Sequence, residues 1–284
     1  MSQSPDGEIR FRTAIEPLTG RTALSHSNHI LMVGSCFTDR IGAELEKDGF
    51  DVAVNPMGIL FNPASLADML TRAAENRLYT KSDLTFYDGI WHALQYESSR
   101  RDEDPERLLE TLNADFAKFI DTYRKADTVI ATFGTAFVYR WLSDGRLVGN
   151  CHKLPATEFV RTRMSVDEIV SLWQKQLINN NKRFIFTVSP VRHLADGLHG
   201  NQLSKATLLL ATEKLGEYFP SYEIINDDLR DYRFYDTDLK HPSPLAIEYI
   251  YNIFAKTYFT KPTLNTAATH RREWLRRQHR PILQ

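Results

Sequence analysis

Three polar residues, one near the start of the chain and two near its end, have the types that acyl-transfer chemistry needs. Ser35 follows the apolar run 30–33 at a Gly-Ser turn, and Asp238 precedes His241 by three residues. A serine where a strand turns into a helix lies beside backbone N–H groups and a helix dipole, which stabilise an oxyanion. An Asp three residues before a His on a turn can accept the Nδ1–H, which directs Nε2 at a hydroxyl. Most Gly-Ser and Asp-x-x-His pairs are plain turns. Here the serine ends the first predicted strand and the Asp/His pair precedes the last predicted helix of the same α/β pattern, and this order favours a nucleophile with a His–Asp pair.

Alternating elements must bring these residues together. Strand-like runs occupy 30–33, 51–54, 128–133, 183–188 and 222–225, and helix-like segments follow them, including 63–75, 105–123, 166–178, 203–218 and 244–258. Strands that alternate with helices are typical of a parallel sheet covered on both faces. The sequence therefore predicts an α/β fold: a three-layer α/β/α sandwich with a flavodoxin-like sheet of roughly five parallel strands.

The residues with chemical potential follow the predicted strands. The carboxyl ends of parallel strands meet at one crevice, where backbone N–H groups and helix N-termini converge. We expect four short segments to meet there: 34–36, 57–58, 134–135 and 189–193.

Length and composition limit the organisation and the partners. With ~150 residues per domain, 284 residues leave one or two domains, and without repeats or linkers we favour one domain over 1–284. Its extra length lies in hairpin insertions near 80–105 and 136–160 and in a basic C-terminal tail, 268–284. The net charge of −1 argues against a specific nucleic-acid partner. Two cysteines, no signal-like start and no long apolar run favour a cytoplasmic protein without a membrane span.

The predicted tail has a charge of its own. It carries five arginines and one glutamate, namely Arg271, Arg272, Arg276, Arg277, Arg280 and Glu273. Such a segment is most often solvated or docked locally, and contact with nucleic acid, with a membrane surface or with a second copy of the chain in a homo-oligomer stays open.

Local motifs resemble a known family. Gly34-Ser35-Cys36-Phe37 resembles the motif that names the GSCFA family, which is related to the SGNH (GDSL-like) hydrolases, with Thr38 in place of the final Ala. The resemblance extends over most of the chain, from about residue 30 to 255, in the blocks 55–58, 62–63, 133–136, 150–153, 188–193, 204–206, 218–223, 229–235 and 241–242.

The resemblance implies a serine esterase without metal or cofactor, which removes an acetyl or other short acyl group from a carbohydrate or small-molecule ester. Ser35 would be the nucleophile, His241 the general base and Asp238 its orienting carboxylate. Ser35 and Gly58 would supply oxyanion N–H groups. The asparagine that completes the superfamily's oxyanion hole has no counterpart at 134–136, so Thr135 or Asn150 would replace it.

Other residues are candidates for the substrate pocket. Arg192 and His193 would bind an anionic or sugar substrate or form a salt-bridged loop, Trp91 would wall a sugar site or pack locally, and Asn62 lies in a matching block.

Competing interpretations use some of the same residues. Cys36 could act as a thiolate at the same helix N-terminus, although a small buried side chain is the commoner role. His152, His193, His199 and Cys151 lack metal-ligand spacing, so we expect no metal. Transfer of the acyl group to another hydroxyl, and a catalytically silent domain that binds glycan or peptide, remain alternatives.

Overall fold

The computed structural model describes residues 12–178 and 181–278. Its strands in chain order are β1 His29–Gly34, β2 Asp51–Val54, β3 Thr85–Tyr87, β4 Ile90–His92, β5 Arg101–Asp102, β6 Thr128–Phe133, β7 Phe137–Trp141, β8 Leu147–Val148, β9 Phe159–Arg163, β10 Arg183–Val188 and β11 Tyr218–Phe219. Its helices are α1 Cys36–Lys47, α2 Pro63–Ala74, α3 Pro105–Lys125, α4 Val166–Ile178, α5 Gly197–Leu215, α6 Ser221–Glu223, α7 Pro244–Tyr258 and α8 Lys261–Gln278.

Five strands form the central sheet, in the order β2-β1-β6-β10-β11, and every neighbouring pair is parallel. The strands in the middle of the sheet are apolar and buried along nearly their whole length, as a sheet covered on both faces requires. This arrangement confirms the predicted three-layer α/β/α fold with five parallel strands.

Alternate residues of each strand enter two different cores, because successive side chains of a strand point to opposite faces. Leu31 and Val33 pack in the core beneath α2, α3, α4 and α5, while Ile30 and Met32 pack in the core beneath α1 and α7. Two helical layers therefore enclose the sheet and leave the carboxyl ends of its strands at one edge.

Close packing fixes the turn that presents Ser35. Gly34 ends β1 against β6, where an added Cβ would lie 2.4 Å from the carbonyl oxygen of Thr132, so only glycine fits. The Gly34 N–H donates to the Asn55 side chain at 2.8 Å. Ser35 then caps α1, and its Oγ accepts the N–H of Phe37 at 3.3 Å.

Both predicted insertions form small antiparallel sheets. β3, β4 and β5 make the first, and β8, β7 and β9 make the second, in which β9 was not anticipated from the sequence. The strand predicted at 222–225 is wrong, because α6 and a π-helix, Ile224–Leu229, occupy this region and the fifth strand is β11. A short apolar run suits a buried helix as well as a buried strand, and here Ile224 and Ile225 pack into the core beneath α7.

The predicted basic tail is helical as far as the structure describes it. Residues 268–278 belong to α8, and residues 279–284, with Arg280, lie outside the described residues. Arg271 joins α8 to α1, because its Nη1 lies 2.7 Å from Glu44 and its Nε 2.5 Å from Asp48. Of the helices described, none combines the length and apolar character that a membrane crossing needs.

Candidate active site

A cavity of about 310 Å³ opens at the carboxyl edge of the sheet. We call it the serine cavity, because Ser35 lines it together with His241. Polar and apolar side chains from the ends of several elements complete the lining: Cys36, Phe61, Thr135, Phe137, Tyr139, Arg161, Val191, Arg192, His193, Ala195 and Asp196. The tertiary structure thus brings together Ser35, Thr135, Arg192, His193 and His241 among the residues predicted from the sequence.

The predicted His–Asp pair is formed. Asp238 Oδ2 lies 2.5 Å from His241 Nδ1, and Asp238 Oδ1 accepts the backbone N–H groups of Lys240 and His241 at 2.9 and 3.0 Å. These backbone hydrogen bonds, and then the imidazole, hold the pKa of Asp238 well below its usual range. An ionised carboxylate accepts from Nδ1–H, so Nε2 of a neutral His241 is the nitrogen left without a proton.

Ser35 and His241 share the cavity without a direct bond. Ser35 is 1% exposed, and among the described residues its Oγ is hydrogen-bonded to the N–H of Phe37 and not to His241. General bases often reach their partner only in the substrate complex, so a rotation of the Ser35 hydroxyl toward His241 is the movement that catalysis would require.

The Ser35 N–H, predicted to serve an oxyanion, is engaged in the sheet. The Gly34 N–H turns to Asn55, so the pairing of Gly34 with Thr132 directs the Ser35 N–H at the Thr132 carbonyl of β6. Thr135 lines the cavity beside Ser35, and its Oγ1 accepts the N–H of Phe137 at 3.1 Å and lies 3.1 Å from Ser204 Oγ. Ser204 Oγ already accepts the N–H of Ala136, and within the described chain its only available acceptor is Thr135 Oγ1. Thr135 Oγ1 likewise accepts a backbone N–H, so either hydroxyl can donate to the other, and the Thr135 hydrogen is available to the cavity when Ser204 is the donor.

His193 is a third polar group at this place. Its Nε2 is buried and has no hydrogen-bond partner in the described part of the chain, and it lies 3.3 Å from the point where a Cβ on Gly134 would stand. Burial, with the nearby Lys205, lowers the pKa of His193 to about 4. The imidazole is therefore neutral near pH 7 and carries one N–H.

Two predicted oxyanion residues lie elsewhere. The Gly58 N–H is used within its own turn, where it donates to Asn55 at 2.8 Å. The Asn150 side chain accepts the N–H of His152 at 2.9 Å, and the backbone N–H of Asn150 donates to the Leu94 carbonyl. Neither residue lines the serine cavity. The hydrogen-bonding groups of Gly58 and Asn150 are used within local turns, and the spacing of residues along the sequence does not reveal this.

Two predicted pocket residues are also placed outside the cavity lining. Asn62 is the N-cap of α2, and its side chain accepts the N–H of Ser65 at 2.8 Å. Trp91 packs on Phe86 in the first small sheet, with ring centroids 5.0 Å apart, and Lys81 lies over its ring. Both residues are engaged in local structure.

Arg192 lines the cavity and is half-buried. Its guanidinium carbon lies 3.9 Å from the ring centroid of Tyr235 and 5.0 Å from that of Tyr232. Its backbone N–H donates to Lys240 at 3.1 Å, which ties the loop after β10 to the loop that carries His241.

The competing thiol and metal interpretations gain no support. Burial, and then the Asp39 carboxylate, raises the pKa of the Cys36 thiol, whereas a nucleophilic cysteine needs a lowered one. Burial likewise raises the pKa of Cys151 to about 11. Within the described residues no three His, Cys, Asp or Glu side chains converge as metal ligands would.

Lys205 is a residue of the site region to which sequence analysis gave no role. Its side chain is buried on α5, and its Nζ donates to the carbonyl oxygens of Gly134 and Ser189, both at 2.6 Å. These residues follow β6 and β10, so Lys205 links the two strand ends that carry Thr135 and Arg192. The available signal was that Lys205 lies at helical spacing from Leu208, Ala211 and Leu215, which are also buried on α5.

Comparison with known proteins agrees with the motif resemblance. No curated protein and no solved structure matches the chain. The GSCFA family model matches residues 29–254, a span that begins with β1 and ends within α7. It therefore contains all five strands of the central sheet and every residue that lines the serine cavity. Because this match covers well over half of the 284 residues, the chain belongs to the GSCFA family.

Proposed function

We propose that this protein is a serine esterase that hydrolyses a short acyl ester through a covalent Ser35 intermediate. One observation carries the proposal: Ser35 and His241 line the same cavity, and Asp238 holds the imidazole with Nδ1 toward the carboxylate. A hydroxyl, a base and an orienting acid in this relation are the parts of nucleophilic acyl transfer.

The reaction proceeds in two steps. Ser35 Oγ attacks the ester carbonyl while His241 Nε2 takes the hydroxyl proton, and the tetrahedral intermediate collapses as His241 returns that proton to the leaving alcohol. Water then attacks the acyl-enzyme, again giving a proton to His241, and collapse releases the acid and restores the Ser35 hydroxyl. The Asp238 carboxylate stays ionised throughout and stabilises the imidazolium.

Two donors serve the oxyanion in this proposal: the Thr135 hydroxyl and Nε2–H of His193. Thr135 lines the cavity and donates into it when Ser204 donates to Thr135 Oγ1, and His193 Nε2 is buried without a hydrogen-bond partner among the described residues. Thr135 and His193 thereby take over the role that an asparagine has in the SGNH superfamily. A preorganised donor of this kind contributes about 10²- to 10³-fold to kcat.

Replacing the nucleophile tests the proposal. Ser35→Ala should lower kcat/KM for 4-nitrophenyl acetate by at least about 10³-fold and abolish labelling by a fluorophosphonate, which mass spectrometry should locate on Ser35 in the wild type. Ser35 also caps α1, so the matched control is Ser165→Ala, which removes the serine that accepts the Glu168 N–H on α4. Equal hydrolysis by pure Ser35→Ala and wild-type protein would refute the assignment.

Acyl transfer to an alcohol is an alternative, because a second cavity beside His241 could hold the acceptor alcohol. The second cavity also measures about 310 Å³ and shares Cys36, Val191 and His241 with the serine cavity. An acceptor alcohol there would reach the same base as water. Product analysis by mass spectrometry, with glycerol added, distinguishes an acylated acceptor from free acid.

A silent binding domain is the remaining alternative, and the missing hydrogen bond between Ser35 and His241 is the observation that favours it. Such a domain would bind ligand yet leave Ser35 unlabelled by the fluorophosphonate, so the labelling experiment separates it from both enzymes.

A further inference from the structure

We propose that the serine cavity recognises an anionic substrate, with Arg192 binding a carboxylate or phosphate group of the molecule that carries the ester. This inference deepens the proposed esterase function and rests on it. Carboxylate and phosphate groups both present negatively charged oxygens that accept two parallel hydrogen bonds from a guanidinium group.

Arg192 is held in place but has no counterion. Stacking on Tyr235, with Tyr232 alongside, and the backbone bond to Lys240 restrain it. Among the described residues no carboxylate lies within 4.0 Å of its guanidinium, whereas Arg161, which lines the same cavity, is paired with Asp196. A restrained, unpaired and partly buried guanidinium loses little entropy when an anion binds.

The other charges of the cavity cancel. Arg161 is hydrogen-bonded to Asp196, whose side chain is 2% exposed, and its guanidinium also covers the ring of Phe137 at 3.9 Å. His193 is neutral near pH 7, because burial lowers its pKa to about 4, and His241 is paired with Asp238. Of the described residues that line the cavity, Arg192 therefore carries the uncompensated charge, and an anion is the partner that balances it.

The two cavities differ in a way that orients the substrate. The second cavity presents the carboxylates of Asp236 and Asp238 with one cation, Arg40, whereas the serine cavity presents Arg192 and an aromatic wall of Phe61, Phe137 and Tyr139. The carboxylates of the second cavity repel a negative group, whereas Arg192 attracts it to the serine cavity. The aromatic wall suits the ring of a sugar, and the cavity has about the size that a small ligand requires.

Binding of non-ester ligands tests this inference apart from catalysis. Isothermal titration of the wild-type protein with glucuronate, glucose 6-phosphate and glucose compares a carboxylate, a phosphate and a neutral sugar. We expect at least one anion to bind more tightly than glucose. In Arg192→Gln its affinity should fall about 10- to 100-fold, and Arg192→Lys, which keeps the charge but not the fork, should lie between. Arg276→Gln, on the exposed face of α8, makes the same change in net charge away from the cavity.

Each outcome decides one point. A preference for glucuronate identifies a carboxylate substrate, and a preference for glucose 6-phosphate identifies a phosphate. Equal affinity for all three ligands, or equal losses in Arg192→Gln and Arg276→Gln, overturns the anion site. Circular dichroism and thermal melting of the variants show whether the fold is retained. Anion binding that depends on Arg192, together with an unreactive Ser35, would keep the anion site and refute the esterase.

Discussion

Asp238 Oδ2 and His241 Nδ1 lie 2.5 Å apart on a turn that also gives Asp238 two backbone hydrogen bonds. The two backbone hydrogen bonds hold the carboxylate in place, and the carboxylate in turn holds the imidazole. Its strongly lowered pKa means that it is ionised near pH 7.

Asp238→Asn should keep the fold and lose most of the activity. The amide can still accept from the two backbone N–H groups, but its NH₂ group favours the wrong imidazole tautomer, so kcat should fall by about 10²- to 10⁴-fold. Steady-state kinetics with 4-nitrophenyl acetate measures this. Asp231→Asn, which changes the exposed acid that caps residues 232–234, is the matched control and should retain activity. A kcat within twofold of wild type for Asp238→Asn would contradict the role of the pair.

His193→Ala should lower kcat by about 10²- to 10³-fold with a small change in KM, because an oxyanion donor acts in the transition state and not on the bound ester. His193→Asn should recover part of the loss, since its amide also donates. A boronic acid that mimics the tetrahedral intermediate should bind more weakly to His193→Ala by a similar factor. If KM rises while kcat is unchanged, His193 binds substrate and is not an oxyanion donor.

A buried histidine pair predicts acid sensitivity. His152 Nε2 lies 3.0 Å from the Tyr96 carbonyl and must donate, so its Nδ1 accepts from His92 Nδ1 at 3.1 Å. Burial lowers the pKa of His152 to about 4. The unfolded chain binds this proton near pH 6.5, so the stabilisation is complete above that pH and is lost as the pH falls toward 4.

Replacing His152 should reduce this acid sensitivity. Between pH 7 and 5 the free energy of unfolding of His152→Asn should fall by about 1–2 kcal/mol less than that of the wild type. Asparagine suits the positive φ of 50° at this position. Urea titrations at both pH values measure the difference, with His199→Asn, an exposed change on α5, as control. Equal losses in wild type and His152→Asn would show that the pair does not control the acid response.

Arg271→Met should destabilise the protein by about 2–4 kcal/mol. It leaves Asp48, which is 6% exposed, with Tyr251 as its remaining side-chain donor, and a buried carboxylate that loses its cation is costly. Arg272→Met, next along α8 and exposed, should change the free energy of unfolding by less than about 0.5 kcal/mol. Guanidinium titrations compare the two. A similar small effect of both substitutions would mean that α8 is not held by Arg271.

The sheet could be predicted from the sequence because its signals are local. Buried strands such as β6 read as continuous apolar runs, and Gly34-Ser35 marks where β1 gives way to α1. The strand prediction at 222–225 was wrong because a short segment rich in apolar residues fits a buried helix equally well.

The sequence by itself determined the family motifs, four of the five strands of the central sheet, and the types of the three residues Ser35, Asp238 and His241. Only the tertiary structure decided which polar groups remain available for chemistry. It committed Gly58, Asn150 and Asn62 to local turns and caps. Among the described residues, it left Nε2 of His193 without a hydrogen-bond partner and the Arg192 guanidinium without a carboxylate. The physical reason is that each hydrogen-bonding group is satisfied by its nearest neighbours in space, and those neighbours are set by packing between distant segments.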